Sequence, residues 1–295
     1  MAEAIQFDLD QFLLRGLEED VGGGDVTSCA LLAPTLRARG QLRLREQGVV
    51  AGLEAALRVF QLLDDSAEVR RLAEEGEEVG ANGLVGEIRG SARAVLTGER
   101  LALNLLARLS GIATLTQTYV MAVEGTGVEI VDTRKTTPHL RFLEKHAVLM
   151  GGGVNHRFGL FDAVLVKDNH LDLIGASGSA AGMSRATRQA RENAPEGMFI
   201  QVEAQTVEEA EAVVAAGADS VLFDNFSPAA LKAAVIRVRA AAGGRPVMLE
   251  ASGGINLKSV RAFAETGVDR LSIGALTHAA RSLDVTLEIE ADPSV

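Results

Sequence analysis

Between Asp132 and His170 the chain reads DTRKTTPHLRFLEKHAVLMGGGVNHRFGLFDAVLVKDNH. Six Lys/Arg, four acidic residues and four of the five histidines surround a triple glycine, so the stretch carries +2 in a chain of formal charge −11. A basic, glycine-rich island in an acidic protein suits an anionic small molecule. Arginine offers a planar fork to carboxylate or phosphate, lysine a compact charge, and glycine lets backbone N–H groups approach an anion. Arg134 and Lys167 each follow an apolar run, and Arg157 follows the triple glycine. With Arg100, Lys135, His156 and His170 they form the candidate anion-binding set. His139 and His146 read as helix-surface or internally satisfied residues.

Two acidic residues, Glu203 and Asp224, also end apolar runs. A carboxylate at such a place is costly unless a cation, a metal or a sugar hydroxyl meets it. The bland alternative is ion pairing with Lys167 and Arg134. Downstream, ASGGI and IGALTH place Ser252, Gly253, Gly254 and Gly274 just after strand-like runs, where backbone N–H groups hold phosphate in β/α proteins. No P-loop, GxGxxG, GxSxG or HExxH occurs, and no His/Cys cluster supports a transition metal. The residues alone give a β/α enzyme for a polyanionic small molecule carrying phosphate.

The elements that must position these groups are legible from about Gly127 onward. The runs VEIVDTRK, AVLVKDNH, FIQVEAQ, SVLFDNF, VMLEASGG and LSIGALTH suit strands buried on both faces. Helix-like segments lie between the later ones. Thr206 and Ser227 read as N-caps, the latter with Pro at N1, and Gly217, Gly243 and Gly267 as C-terminal stops. This alternation means a β/α barrel or a doubly wound sheet. Six strands fall short of the eight of a full barrel. Charged residues at so many strand ends favour one shared mouth, hence an incomplete β/α barrel. The first ~110 residues read as a separate α+β unit: strands in RARGQLRLREQGVVAGL, an amphipathic helix LEAALRVFQLL, a meander EEGEEVGANGLVGEIRGSARAVL, and a long helix from LTGERLALN onward. The expected division is 1–112 for this domain, with 276–295 packing back on it, and 113–275 for the barrel.

The bulk numbers agree. At 295 residues and 47% apolar content the chain can bury a sizeable core. The acidic balance argues against nucleic-acid and anionic-membrane affinity, and the lack of Trp with a single Tyr argues against single-strand stacking. Cys29 stands alone, excludes a disulfide framework, and reads as a buried packing thiol. No apolar run reaches the ~18 residues of a membrane span. MAEAIQFDLDQF has no basic region before an apolar core, and beyond the short tail ADPSV no segment is of low complexity. The expected location is the cytoplasm.

DTRKTTP, EKHAVLMGGGVNHRFGL and VKDNH closely resemble the quinolinate phosphoribosyltransferases, which are type II phosphoribosyltransferases. The resemblance continues through EEDVGGGDVTS, GERLALNLLARLSGIAT, VEAQTVEEA, LFDNF, EASGGI and TGVDRLSIGALTH, and so covers nearly the whole chain. It implies a pentosyltransferase reaction: quinolinate and phosphoribosyl pyrophosphate, with Mg²⁺, give nicotinate mononucleotide, pyrophosphate and CO₂ in NAD biosynthesis. It also implies an α/β sandwich joined to an incomplete barrel in an intertwined homodimer or a higher oligomer.

The resemblance assigns roles. Thr133, Arg134, Lys135, His156, Arg157 and, from the partner subunit, Arg100 resemble the clamp for the two adjacent carboxylates of quinolinate. Lys167 and His170 resemble groups near the pyrophosphate and reacting centre. Glu203 and Asp224 resemble the carboxylates facing the ribose hydroxyls and, directly or indirectly, Mg²⁺. Ser252, Gly253, Gly254 and Gly274 resemble the 5′-phosphate cradle, with His278 nearby. Lys135, Lys167, Glu203 and Asp224 are the residues expected to act in catalysis. Ribosylation makes the ring nitrogen cationic, so the ring can hold the electron pair left at C2 when CO₂ departs. Two positions depart from the family. His139 stands where glycine is usual, which leaves the loop after Pro138 open. Gln201 stands where glutamate is usual, and is expected to point away from the site. Nicotinate phosphoribosyltransferase, the molybdate-transport-associated relatives and a non-catalytic anion-binding protein are the competing readings; VKDNH and the full basic set favour quinolinate.

Overall fold

The computed structural model describes residues 7–292. Part of the leader-free N-terminal reading and most of the tail ADPSV lie outside them. In chain order the elements are α1 (Leu9–Val21), α2 (Val26–Leu31), β1 (Arg37–Leu44), β2 (Gly48–Val49), α3 (Leu53–Leu63), β3 (Glu68–Arg71), β4 (Glu78–Val79), β5 (Gly83–Ser91), α4 (Ala92–Ala122), β6 (Glu129–Val131) and α5 (Arg141–Met150). Then come β7 (Val164–Val166), α6 (Asp168–Leu173), α7 (Ala180–Asn193), β8 (Ile200–Ala204), α8 (Val207–Ala215), β9 (Ser220–Asp224), α9 (Pro228–Ala241), β10 (Met248–Ser252), α10 (Val260–Ala264), β11 (Arg270–Ser272), α11 (Ala275–His278) and β12 (Val285–Ala291). Among the described residues no helix is long and apolar enough to cross a membrane.

The described residues fall into two compact units, 118–136 with 153–278, and the remainder. The first unit is built on a parallel sheet of order β6-β11-β10-β9-β8-β7. Each of the six apolar runs of the sequence supplies one strand. Consecutive strands are neighbours except β6 and β7, which form the two edges, and the sheet is the incomplete barrel expected. Helices cover it from outside. Thr206 caps α8 with a reciprocal capping box through Glu209, and Ser227 caps α9 with Pro228 at its start, as the sequence indicates. Val154 makes a parallel bridge to Val131 and so lays the GGGVNHR segment along the open β6 edge.

The second unit carries an antiparallel sheet, β12-β1-β5-β3. Along β1 every second residue is buried, which directs Ala38, Gly40, Leu42 and Leu44 inward. The amphipathic α3 lies against β3 and β5. Chain 137–152, with α5, belongs to this unit rather than to the barrel. The fully buried Glu144 explains it: its Oε1 accepts from Arg108 at 2.8 Å and from the Thr137 hydroxyl at 2.8 Å.

Three local expectations change. SARAVL is not the end of a meander, because α4 begins at Ala92 directly from β5 with no intervening turn. Cys29 is exposed rather than buried; α2 is a short surface helix that buries only Ser28. His139 sits at φ +65°, the left-handed conformation that glycine adopts at no steric cost, so the loop keeps a glycine-type backbone with a histidine in it.

Candidate active site

The C-terminal ends of the parallel strands surround a cavity of about 900 Å³. Thr133, Arg134, Lys135, His156, Arg157, Lys167, Glu203, Asp224, Ser252, Gly253, Gly254, Gly274 and His278 all line it. Strand-end position explains the convergence: a parallel strand that finishes in a polar residue delivers it to the mouth shared by all.

Two cations on one wall keep unused donors. Arg134 Nε is buried and has no hydrogen-bond partner among the described residues. Burial, and next the charge of Arg134, pull Arg157 below the usual guanidinium range, against the opposing Asp162. Arg157 spends one nitrogen, Nη1, on the Ala163 carbonyl at 3.1 Å. The loop beyond it is tied down by Asp162, which accepts from the N–H groups of Phe158 and Gly159. Two guanidinium groups that repel each other beside an unsatisfied buried donor make a site for a small dianion.

Opposite stand the carboxylates. Lys167 Nζ lies 3.1 Å from Glu203 Oε2, so the ion-pairing alternative holds for that half of the acidic pair. Burial nevertheless raises the Glu203 pKa; Lys167 works against it, and Asp224 and Asp168 add to it. Asp224 is also raised, by burial first, with Lys167 and Lys135 opposing and Asp168 assisting. Its Oδ2 accepts from the neutral Asn225 amide at 2.6 Å, and among the described residues Arg134 does not pair with it.

The glycines form the remaining wall. Gly253 and Gly254 both have left-handed φ, +96° and +65°. A Cβ on Gly253 would run into the Asn225 side chain and main chain, so the close approach requires glycine. At Gly274 an added Cβ would meet Lys135 Cδ at 3.0 Å and the His278 ring at 3.3 Å. Successive N–H groups in such turns bind anionic oxygen.

Two expected residues are placed elsewhere. His170 does not line the cavity; it occupies the first turn of α6, and its Nδ1 accepts the Lys167 N–H at 3.0 Å. Through that contact it caps the helix that follows Lys167. Arg100 belongs to the other unit, on α4, with its side chain 65% exposed and a 3.8 Å contact to its neighbour Glu99.

Gln201 corrects a further expectation. It points inward, because residues two apart on a strand share a face and Glu203 faces the cavity. Gln201 is buried and its Oε1 lies 3.0 Å from His156 Nε2. Its amide nitrogen reaches Ser220 Oγ at 3.1 Å and Glu250 Oε2 at 3.0 Å. Glu250, fully buried, also accepts the Ser272 hydroxyl and lies 3.4 Å from His156 Nε2. Glu250 and Ser272 were not among the candidates. The available signal was period two: each stands two residues before a site residue, Ser252 and Gly274, in an otherwise apolar run.

Comparison with known proteins agrees with this geometry. Residues 25–110 match the family described as Quinolinate phosphoribosyl transferase, N-terminal domain, and residues 112–288 its C-terminal domain. A Synechocystis sp. protein named probable nicotinate-nucleotide pyrophosphorylase [carboxylating] is 42% identical over 95% of this chain and 92% of its own. A Mycobacterium leprae protein named nicotinate-nucleotide pyrophosphorylase [carboxylating] is 41% identical over 93% of this chain and 95% of its own. The crystal structure of NadC from Streptococcus pyogenes superposes with a TM-score of 0.89, at 37% identity, over 99% of this chain and all of that one.

Proposed function

The chain belongs to the quinolinate phosphoribosyltransferase family, and we propose that the barrel cavity is where it transfers phosphoribosyl from phosphoribosyl pyrophosphate to quinolinate. Pyrophosphate and CO₂ leave, and nicotinate mononucleotide, a precursor of NAD, remains. The observation that carries the location is the pair Arg134 and Arg157. They share a wall, repel one another, and leave a buried N–H unsatisfied. Quinolinate brings two adjacent carboxylates to such a wall, and Lys135 adds a third cation at the same mouth.

The residues then divide the work. Arg134, Arg157 and Lys135 bind and orient the dicarboxylate, so that the ring nitrogen faces the ribose. Glu203 and Asp224 face the ribose, where carboxylates favour the oxocarbenium-like transition state that forms as pyrophosphate departs. Lys167 neutralises part of the charge on Glu203 and on the leaving pyrophosphate. Ser252, Gly253, Gly254 and Gly274 hold the 5′-phosphate through main-chain N–H groups, with His278 beside them. Once the ring nitrogen is cationic, it stabilises the electron pair left at C2 as the bond to the carboxylate breaks, and a proton from solvent then fills C2. The cationic wall keeps the ring in place while CO₂ leaves, so no protein nucleophile is required.

Mg²⁺ fits the donor set. Glu203, Asp224 and Asp168 are oxygen donors at one mouth, and burial raises the pKa values of Glu203 and Asp224, a cost that a bound cation would offset. No cluster of three or more ligating side chains occurs among the described residues. That suits a metal held by one or two carboxylates and by substrate phosphates rather than by a protein cage. Bound there, Mg²⁺ would supply charge neutralisation of the pyrophosphate oxygens. We also propose a cytoplasmic homodimer, open to higher assembly, in which Arg100 reaches the partner's cavity; its exposure on α4 supports this.

The direct test is incubation with phosphoribosyl pyrophosphate, Mg²⁺ and either quinolinate or nicotinate. The expected result is CO₂ release and a mononucleotide from quinolinate alone, abolished by a chelator and restored by Mg²⁺. Turnover of nicotinate without turnover of quinolinate would overturn the reading.

A further inference from the structure

We propose that Glu250 is a positioning residue, which holds His156 and through it the main chain of Arg157 at the floor of the dicarboxylate wall. The proposal rests on the cavity being the quinolinate site. The His156 ring is fixed at both nitrogens. Its Nδ1 accepts the Arg157 N–H at 2.7 Å, which leaves the proton on Nε2, directed at Gln201 Oε1 at 3.0 Å and Glu250 Oε1 at 3.4 Å. The His156 N–H is held in turn by Asp132 Oδ1 at 2.8 Å. Glu250 anchors the chain: it gathers Ser272, Gln201 and His156 from three different segments.

Two features make this more than internal packing. First, a second cavity of about 290 Å³ lies on the other side of the same residues, lined by His156, Arg157, Gln201 and Glu250 together with Phe199 and Met248 at the N-terminal strand ends. His156 and Arg157 line both cavities, so they form a thin partition with open space below. Hydrogen bonds to the Glu250–Gln201 layer hold that partition up, where packing from beneath would otherwise be needed. Second, Glu250 is a buried carboxylate whose pKa lies below its usual value. Burial would raise it, but hydrogen bonding to His156, with Ser272 and Gln201, outweighs that. A glutamine would fill the same volume. The carboxylate differs from it in having two acceptor oxygens and no donor, so it can face the His156 Nε2–H, the Ser272 hydroxyl and the Gln201 amide together.

The experiment is steady-state kinetics of the full chain with Mg²⁺, on Glu250→Gln, on the double variant Gln201→Glu/Glu250→Gln, and on Arg157→Ala. Glu250→Gln is expected to raise the quinolinate KM by about tenfold or more while the KM for phosphoribosyl pyrophosphate stays within about threefold. The double variant returns a carboxylate to His156 Nε2 from β8, two strands away from β10, and is expected to recover most of that loss. A structural role alone would move both KM values together and would not respond to relocating the charge. Glu250→Gln with an unchanged quinolinate KM, while Arg157→Ala raises it, overturns the inference alone. If Arg157→Ala also leaves that KM unchanged, the reading of the cavity fails first. Should Glu250→Gln not fold, a folded double variant with a quinolinate KM still about tenfold high overturns the inference.

Discussion

Lys167 Nζ approaches Glu203 Oε2 to 3.1 Å, yet Glu203 remains harder to ionise than a free glutamate. Burial outweighs the lysine, and Asp224 and Asp168 add to the load. Both Glu203 and Asp224 therefore bind protons more tightly folded than unfolded. Their neutral forms favour folding at low pH, and that benefit is lost as pH rises from the ordinary carboxylate range through their raised folded values. At neutral pH the two ionised groups weaken the fold. Glu203→Gln and Asp224→Asn are expected to melt at or above the wild-type temperature, with a larger gain at pH 8 than at pH 5. Their kcat is expected to fall by roughly 10²-fold or more. Wild-type activity should decline on acidification at higher pH than an ordinary carboxylate would dictate. Thermal melts at the two pH values decide the matter; amide variants less stable than wild type at both would contradict it.

The arrangement of strand-end side chains was legible because apolar runs that stop at a charge announce both a buried strand and what it delivers. Asp132, Lys167, Glu203, Asp224 and Ser252 are such endings. What lay one layer deeper was less so. Gln201 and Glu250 share faces with Glu203 and Ser252, but only the folded sheet brings their side chains to 3.0 Å from one another. The expectation of His170 near the reacting centre rests on the family resemblance; its capping of α6, three residues past Lys167, is a local contact that the motif alone does not show. The placement of 137–152 depends on Glu144 meeting Arg108, 36 residues earlier, a tertiary event with no local signal. The start of α4 was missed because β5 passes into it at Ser91–Ala92 without a turn residue.

Removing either guanidinium from the basic wall should separate binding from stability. Arg157→Ala and Arg134→Ala each lose a charge-assisted contact worth about 1.5–3 kcal/mol. The quinolinate KM is then expected to rise about 10- to 100-fold, with a smaller change for phosphoribosyl pyrophosphate. The two arginines repel each other in the free protein, so neither variant should melt appreciably lower. An equal rise in both KM values, or a collapse of thermal stability, would mean that these residues hold the fold instead of the dicarboxylate.

His139→Gly tests the one strained backbone position of the basic island. At φ +65° with an exposed side chain, histidine bears a left-handed cost of roughly 1–2 kcal/mol. Glycine removes it but adds about 0.5–1 kcal/mol of unfolded-state entropy. The balance favours glycine slightly, and the melting temperature is expected to rise by about 1–3 °C. A fall would show that the imidazole makes contacts that outweigh its backbone strain.

Arg100 supplies the test of shared sites. Its guanidinium is exposed, and its ion pair is a loose 3.8 Å contact with the adjacent Glu99, so little within the chain restrains it from reaching a ligand on another subunit. Arg100→Ala and Arg157→Ala should each be nearly inactive at low quinolinate concentration, for the same reason of lost carboxylate binding. Mixed, unfolded and refolded together, they form heterodimers with one site lacking both arginines and one site intact. Random pairing makes half the dimers mixed, so about a quarter of wild-type activity should return. The recovery should appear only after subunit exchange and should show the wild-type quinolinate KM, because the restored sites carry every native group. A mixture as inactive as its parents, with heterodimers verified by an affinity tag carried on only one of the two variants, would place Arg100 in its own subunit's chemistry or outside the reaction.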